Sequence, residues 1–193
     1  FLSINSYITV LVISSITGIS LLFFSKNSEK KINFINQLIL VFLIYLLISA
    51  LISIPFYLSN YQVTFLNSFF EAISGFTGTG FSIFNNIKYL DPTLILWRSS
   101  SQWLGGLYFL FFLILIFSNK QFNFKLNELT FSCDGSVNTK NNIKNLLLRI
   151  FIIYSLLSLI IFILLNIANV RLFNSLNLSM SLISTGGFIP TNS

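Results

Sequence analysis

Long apolar runs alternate with short polar segments along this chain, and the length of the runs predicts membrane spans. Four of them cover residues 4–24, 37–58, 94–117 and 146–168. A helix of about 20 apolar residues is long enough to cross a hydrocarbon core about 30 Å thick. We therefore expect an all-α integral membrane protein in which each of these runs forms one spanning helix.

Two further segments, 63–76 and 171–183, have a helical pattern but are too short to span a bilayer. Thr64 is the expected N-cap of the first. Each segment leads into a loop that is neither apolar nor charged. The loops read Thr77-Gly78-Thr79-Gly80-Phe81 and Ser184-Thr185-Gly186-Gly187-Phe188. Because non-helical backbone at membrane depth is tolerated only where protein buries it or water lines it, the pattern predicts two re-entrant loops.

The two loops belong to one internal repeat. A shift of 107 positions places Gly80 on Gly187 and also aligns identical residues on both sides of these glycines. The aligned identities are Asn67 with Asn174, Ser68 with Ser175, Ser74 with Ser181, and Phe81 with Phe188. Since the register is constant and each copy follows a membrane-length run, we interpret the chain as holding two copies of one structural unit.

The residue types of the loops favour binding of a monovalent cation. Glycine lets the backbone turn its carbonyl oxygens inward, including through positive φ angles. Such carbonyls, with threonine hydroxyls, replace the hydration shell of the ion. We expect Gly80 and Gly187 in extended, non-helical backbone at the end of a short helix, with their carbonyls turned toward a shared axis. The predicted ion-binding residues are Thr77, Gly78, Thr79, Gly80, Ser184, Thr185, Gly186 and Gly187.

Two charged residues lie near the first loop in the sequence. In one interpretation Glu71 is a charge that holds the loop or adds to the field on a cation. In the other it is a carboxylate hydrogen-bonded to backbone groups behind the loop, and we favour the second interpretation. Arg98 begins the third apolar run, and we interpret it as an interfacial anchor or packing partner rather than a gating charge. Gly105 and Gly106, farther along that run, permit close helix packing or a bend.

Composition and charge agree with a membrane protein. The chain is 54% hydrophobic and only 8% charged, whereas soluble domains carry about 25% charged residues. The net charge of +6 arises from basic residues in the loops between apolar runs, which is not a nucleic-acid signal. Basic loops mark the cytoplasmic side. We therefore predict that residues 25–36 and 118–145 are cytoplasmic and that residues 59–93 and the C-terminal end face outside.

The sequence does not favour an enzyme. It has no histidine, a single cysteine (Cys133) and five acidic residues that do not cluster. It therefore offers no set of residues for proton transfer, nucleophilic attack or metal binding, and no internal disulfide. No cofactor is predicted apart from the transported ion. The first residue is Phe1 rather than Met, and no basic region precedes the first apolar run, so a cleavable signal peptide is not supported. We expect the chain to be a piece of a longer protein or a trimmed one.

Three stretches resemble the Trk/Ktr/HKT superfamily of potassium transporters, in particular the Trk-type membrane subunit. Residues 70–80 resemble its first pore loop, residues 97–106 the helix that follows, and residues 181–188 its second pore loop. The resemblance implies a fold of M1–P–M2 potassium-channel-like repeats, four to a chain. Residues 1–24 are then an N-terminal transmembrane helix, residues 37–117 the first repeat, and residues 146–193 the first span and pore loop of a truncated second repeat.

The same resemblance implies potassium uptake across the bacterial inner membrane by a multi-pass protein. The implied partners are the missing C-terminal repeats or a complementary fragment, a second copy in a homodimer, a cytoplasmic nucleotide-binding regulatory subunit and membrane lipid. Gly78 and Pro190 depart from the family pattern, which leaves open the preference among K⁺, Na⁺ and Rb⁺. The sequence also does not distinguish channel action from symport. The alternative is a truncated or split-gene fragment with no transport activity alone.

Overall fold

A computed structural model of the chain describes residues 2–25, 34–59, 61–117 and 139–190. Within these ranges every regular element is a helix and there is no β-strand, so the predicted all-α class is confirmed. A 3₁₀ turn, Ile87–Tyr89, precedes the fourth helix. The α-helices are α1 (Leu2–Ser25), α2 (Phe34–Tyr57), α3 (Phe65–Thr77), α4 (Pro92–Phe117), α5 (Thr139–Ile167) and α6 (Leu172–Ile183).

Three of these helices are long and apolar enough to cross a membrane. Their qualifying segments are Ile4–Ser25 in α1, Ile35–Tyr57 in α2 and Lys144–Ile167 in α5. Most side chains of α1 and α5 face outward, with only 6% of each apolar segment buried inside the protein. Apolar surface of this kind is what helices present to lipid, since every backbone polar group is already bonded within the helix. Three of the four predicted spans are thus confirmed as helices that are long and apolar enough to cross a membrane.

The fourth predicted span, residues 94–117, is helical as α4 but is not among the helices apolar enough to qualify. Its first half carries Arg98, Ser99, Ser101 and Gln102, and all four are buried within the protein. These polar residues lower the mean hydropathy of α4. They are accommodated there because that half of the helix faces other helices. The apolar-run prediction identified the helix correctly but not the environment of its first half.

Helix α4 lies at the centre of the fold and packs against α2, α3, α5 and α6. Aromatic side chains connect α4 to its neighbours by donating hydrogen bonds to backbone carbonyls of the facing helix. The Trp97 indole donates to the Ile52 carbonyl at 3.1 Å, and the Tyr154 hydroxyl donates to the Trp103 carbonyl at 3.1 Å. In a membrane protein, van der Waals packing and interhelical hydrogen bonds of this kind drive helix association.

Glycine brings α4 close to the end of α3. A Cβ atom added to Gly105 would overlap the carbonyl group of Phe76, so the backbones touch at this point. The same Phe76 carbonyl accepts a hydrogen bond from the Tyr45 hydroxyl of α2 at 3.2 Å. The interpretation of Gly105 as a close-packing residue is confirmed, and the end of α3 is held from both sides.

The predicted cytoplasmic segments, 25–36 and 118–145, fall mostly outside the described residues, as does Cys133. Their side of the membrane stays a prediction.

Candidate ion-binding site at two converging loops

The two short helices begin and end close to the predicted positions. Thr64 is the N-cap of α3, and its hydroxyl accepts a hydrogen bond from the Asn67 amide at 3.4 Å, which confirms its predicted role. Helix α3 ends at Thr77, and Gly78 is its C-cap, with a left-handed backbone (φ 73°) that closes the last turn. Glycine adopts this conformation without the steric cost that a side chain adds.

Both helices end with the same backbone hydrogen bonds. In the first, Gly78 N–H donates to the Gly75 carbonyl and Thr79 N–H to the Ser74 carbonyl, both at 3.1 Å. In the second, Thr185 N–H donates to the Leu182 carbonyl at 3.1 Å and Gly186 N–H to the Ser181 carbonyl at 2.9 Å. A shift of 107 positions converts each bond of the first set into one of the second. The sequence repeat is therefore also a repeat of backbone structure.

The backbone angles of the loops repeat in the same register. Gly78 and its counterpart Thr185 have φ angles of 73° and 54°, and Gly80 and Gly187 have φ angles of 77° and 76°. Both Gly80 and Gly187 lie outside helices just after a short helix, as predicted. Both residues adopt positive φ, a conformation that glycine permits and that the sequence analysis named for these loops.

The two loops meet at these glycines. A Cβ atom added to Gly80 would overlap the Gly186 carbonyl oxygen and lie 3.3 Å from the Gly187 Cα atom. A Cβ atom on Gly78 would lie 3.5 Å from the Ser184 carbonyl oxygen. Two loops that are about 100 residues apart in the chain are thus in backbone contact, and their small residues allow it.

The hydroxyl groups of the predicted site bond mainly to the ends of their own helices. Thr77 donates to the Ile73 carbonyl at 2.7 Å, and Thr79 lies within 3.3 Å of the Thr77 hydroxyl. Ser184 donates to the Met180 carbonyl at 2.9 Å. Thr185 donates to the carbonyl of Ser184 at 2.7 Å. The hydroxyl oxygens keep free lone pairs in these arrangements, since each hydroxyl has two.

Behind the first loop lies a buried ion pair. Arg98 Nε donates to Glu71 Oε1 at 2.7 Å, and the two side chains are 1% and 0% exposed. Glu71 Oε2 accepts from the Ile83 amide at 2.8 Å, and Oε1 accepts from the Ser82 hydroxyl at 3.0 Å. Arg98 Nη2 in turn donates to the Ser82 hydroxyl at 2.9 Å. The pair therefore holds the segment that leaves the first loop.

These contacts give both charges a structural role beside the first loop. Glu71 is a carboxylate hydrogen-bonded behind the loop, and its bonds to Ser82 and Ile83 hold that loop as well. Arg98 is a packing partner rather than an interfacial anchor, because it is buried against α3. Its guanidinium carbon also lies 4.1 Å from the ring centroid of Phe188, a cation–π contact with the second loop.

Gln102 is a site residue to which the sequence analysis gave no role. Its side chain is fully buried, its Nε2 donates to the Gly186 carbonyl, and its Oε1 accepts from the Phe188 amide at 3.3 Å. The spacing from Arg98 is one available signal, since residues four apart lie on one face of a helix. Two polar residues on one face of a membrane helix indicate a buried polar neighbour, which here is the pair of loops.

The Tyr61 hydroxyl bonds to the backbone at two positions in the segment just before α4. It donates to the Tyr89 carbonyl at 3.0 Å and accepts from the Asp91 amide at 2.8 Å. Burial raises the pKa of Tyr61 above its ordinary value.

The family model and the similar proteins that match this chain all describe cation or potassium transport proteins. The TrkH family model, described as a cation transport protein, matches residues 4–193. An uncharacterized cation transporter of Methanocaldococcus jannaschii is 27% identical over 158 residues, which are 78% of this chain and 31% of that protein. The Trk system potassium uptake protein TrkI of Halomonas elongata is 38% identical over 72 residues, 37% of this chain and 15% of that protein.

A third relative is the Trk system potassium uptake protein TrkG of Escherichia coli, which is 23% identical over 177 residues, 85% of this chain and 34% of that protein. The chain thus spans about a third or less of the length of each of these relatives. The resemblance inferred from the pore-loop sequences is confirmed by these matches.

Proposed function

The chain belongs to the TrkH cation transport family, and we propose from this premise that its two loops form part of a potassium-selective pore. In this proposal the pore takes up K⁺ across the bacterial inner membrane, and the chain carries out transport rather than an enzymatic reaction. The names of TrkI and TrkG as potassium uptake proteins support K⁺ as the ion.

The observation that carries the proposal is the contact between two structurally equivalent loops at Gly80 and Gly187. Each loop follows a short helix, each has a glycine with φ near 76°, and the two glycines approach each other to van der Waals distance. A carbonyl cage for a monovalent cation needs several loops that converge on one axis. The ligands we propose are backbone and hydroxyl oxygens of Thr77, Gly78, Thr79, Gly80, Ser184, Thr185, Gly186 and Gly187.

Two loops do not enclose an ion, so the proposed pore includes loops from outside this chain. Further repeats of a longer protein, or a complementary fragment, supply them. A homodimer and a cytoplasmic nucleotide-binding regulatory subunit are proposed partners on the basis of the family resemblance alone. The short span of the chain relative to its relatives favours one second candidate, a membrane fragment that transports nothing by itself.

Uptake of ⁸⁶Rb⁺ into a bacterial host that lacks its own K⁺ uptake systems tests the proposal. The chain is expressed alone and, in parallel, as part of the longest open reading frame that contains it. We expect uptake from the longer protein that excess K⁺ suppresses, and none from the Gly80→Asp variant, because a carboxylate beside the Gly186 carbonyl disrupts the cage. No uptake from either form would reject the proposal, whereas uptake from the longer form alone would support the fragment interpretation of the isolated chain.

A further inference from the structure

We propose that Gln102 is a positioning residue that fixes the second loop and thereby sets the ion preference of the pore. This inference rests on the proposed function and adds to it a residue that lies outside both loops. Gln102 belongs to α4, which follows the first loop, yet its side chain contacts the backbone of the second.

The contacts of Gln102 bracket one residue. The amide group donates to the carbonyl of Gly186 and accepts from the N–H of Phe188, which are the two neighbours of Gly187. Gly187 has a φ of 76°, so the bracketed residue is the one with the left-handed backbone. A carboxamide has both a donor and an acceptor end, and only one orientation of it satisfies both contacts. Gln102 therefore acts as a clip across Gly187.

The side chain of Gln102 packs closely against the second loop. Gln102 is fully buried. A Cβ atom on Gly186 would lie 2.6 Å from both Nε2 and Oε1 of Gln102, so the side chain and the loop backbone are in direct contact. On the opposite side, the Gly186 carbonyl oxygen lies against Gly80 of the first loop. The carbonyl is thus fixed between Gln102 and the first loop.

The first loop is held by different groups. The Ser74 hydroxyl donates to the Phe81 carbonyl at 2.5 Å, and Glu71 binds Ser82 and the Ile83 amide. The clip is therefore specific to the second loop. Because it comes from the helix of the first repeat, it also fixes the second loop relative to the first.

A fixed carbonyl direction affects which ion is bound. Selectivity among monovalent cations depends on the size of the cage or on the number and direction of the carbonyl dipoles around the ion. When Gly186 loses its donor, its carbonyl is free to reorient, and the second loop accommodates a smaller ion more easily. Loss of Gln102 should consequently change the ratio of ions transported more than it changes the amount of folded protein.

The test compares ⁸⁶Rb⁺ and ²²Na⁺ uptake by the longest protein that contains this chain, in the K⁺-uptake-deficient host. The variants are Gln102→Met, which keeps the shape and removes both hydrogen bonds, and Gln102→Glu, which keeps an acceptor and removes the donor. The matched control is Ser99→Ala on the same helix. Ser99 is buried as well, but its hydroxyl bonds to the Ile95 carbonyl of its own helix at 3.2 Å.

We expect the Rb⁺/Na⁺ uptake ratio to fall about three- to tenfold in Gln102→Glu, the range produced by loss of one hydrogen bond. The fall should be at least as large in Gln102→Met, which loses both bonds, and the ratio should stay unchanged in Ser99→Ala. An unchanged ratio at normal membrane levels would overturn the inference and leave the proposed function intact. Loss of both Gln102 variants from the membrane would mark the residue as purely structural and also overturn it. Failure of the unmodified protein to take up Rb⁺ would reject the proposed function, and this inference with it.

Discussion

Single residues determine how closely the two loops approach. Glycine has two effects there: it tolerates a positive φ angle, and it has no Cβ atom at the contact. A comparison of Gly80 with Gly78 separates these effects. Both have positive φ, so a side chain at either position costs about 1–2 kcal/mol. At Gly78 an added Cβ atom lies 3.5 Å from its nearest neighbour in the second loop, whereas at Gly80 it overlaps the Gly186 carbonyl oxygen. The contact between the loops therefore depends on Gly80 more than on Gly78.

We expect Gly80→Ala to reduce ⁸⁶Rb⁺ uptake and relax the preference for Rb⁺ over Na⁺ far more than Gly78→Ala does. The reason is that both variants carry the same backbone strain and only Gly80→Ala forces the loops apart. Uptake of both ions, normalised to the amount of protein in the membrane, measures the difference. Equal effects of the two variants would show that loop contact at Gly80 is not required.

The buried ion pair leads to a prediction about stability. Arg98→Gln leaves the Glu71 carboxylate buried without its partner charge, and breaking a buried pair in this way costs about 3–5 kcal/mol. We expect the variant to accumulate poorly in the membrane. Replacement of both charges, in Glu71→Gln/Arg98→Met, should restore part of the level, because no unpaired charge remains. The exposed Arg171 on the second repeat, changed to Gln, is the control.

Membrane levels by immunoblot and thermal unfolding in detergent measure this effect. A changed K⁺/Na⁺ uptake ratio for Arg98→Gln at a normal membrane level would contradict the account, because it would place Arg98 at the ion path rather than behind the first loop.

At the level of helices, the close approach of α4 to α3 depends on Gly105. We expect Gly105→Ala to lower the unfolding temperature clearly, since its Cβ atom overlaps backbone that cannot move without displacing the first loop. Overpacking of this kind costs about 1–3 kcal/mol or more. Gly18→Ala in α1 is the matched control, because an added Cβ atom there has no neighbour within 4 Å. Similar unfolding temperatures for the two variants would contradict the observed packing.

The helices could be predicted because their length and apolar character are local properties. The segments predicted at 63–76 and 171–183 correspond to Phe65–Thr77 and Leu172–Ile183, with boundaries that differ by two residues at most. The repeat register was predictable for the same reason, since the small residues that end each helix determine the same backbone turn in both copies.

The surroundings of the repeats could not be predicted from that register. Phe81 and Phe188 align in sequence, yet Phe81 is 70% exposed and Phe188 is 2% exposed. Phe188 packs on Arg98 of α4, which belongs to the preceding repeat, so equivalent positions have different neighbours. The role of Gln102 was missed for the same reason, because its partners are more than 80 residues away in the chain.

For the whole molecule, the central position of α4 connects the two loops. Arg98 and Gln102 lie one helical turn apart on α4, and they contact the segment after the first loop and the backbone of the second loop. A displacement of α4 would therefore move both loops together. This arrangement makes the helix between the repeats part of the loop support as well as a connection in the fold.

Orientation in the membrane gives a prediction at the same scale. A cysteine introduced at Asn85, in the exposed segment after the first loop, should react with a membrane-impermeant thiol reagent added to intact cells, whereas Cys133 should not. The reason is the excess of basic residues in 25–36 and 118–145, which places those segments in the cytoplasm. Reaction at Cys133 alone would show that the orientation is the reverse of the predicted one.

The most direct test of the central claim is to locate bound ions. The longest protein that contains this chain is crystallised with Rb⁺ in place of K⁺, and anomalous X-ray scattering identifies the ion positions. We predict an Rb⁺ ion where the two loops converge, coordinated by backbone oxygens of both loops. Gly80 and Gly187 should be among the residues next to this ion. Ions found only elsewhere, with this position empty at saturating Rb⁺, would contradict the account.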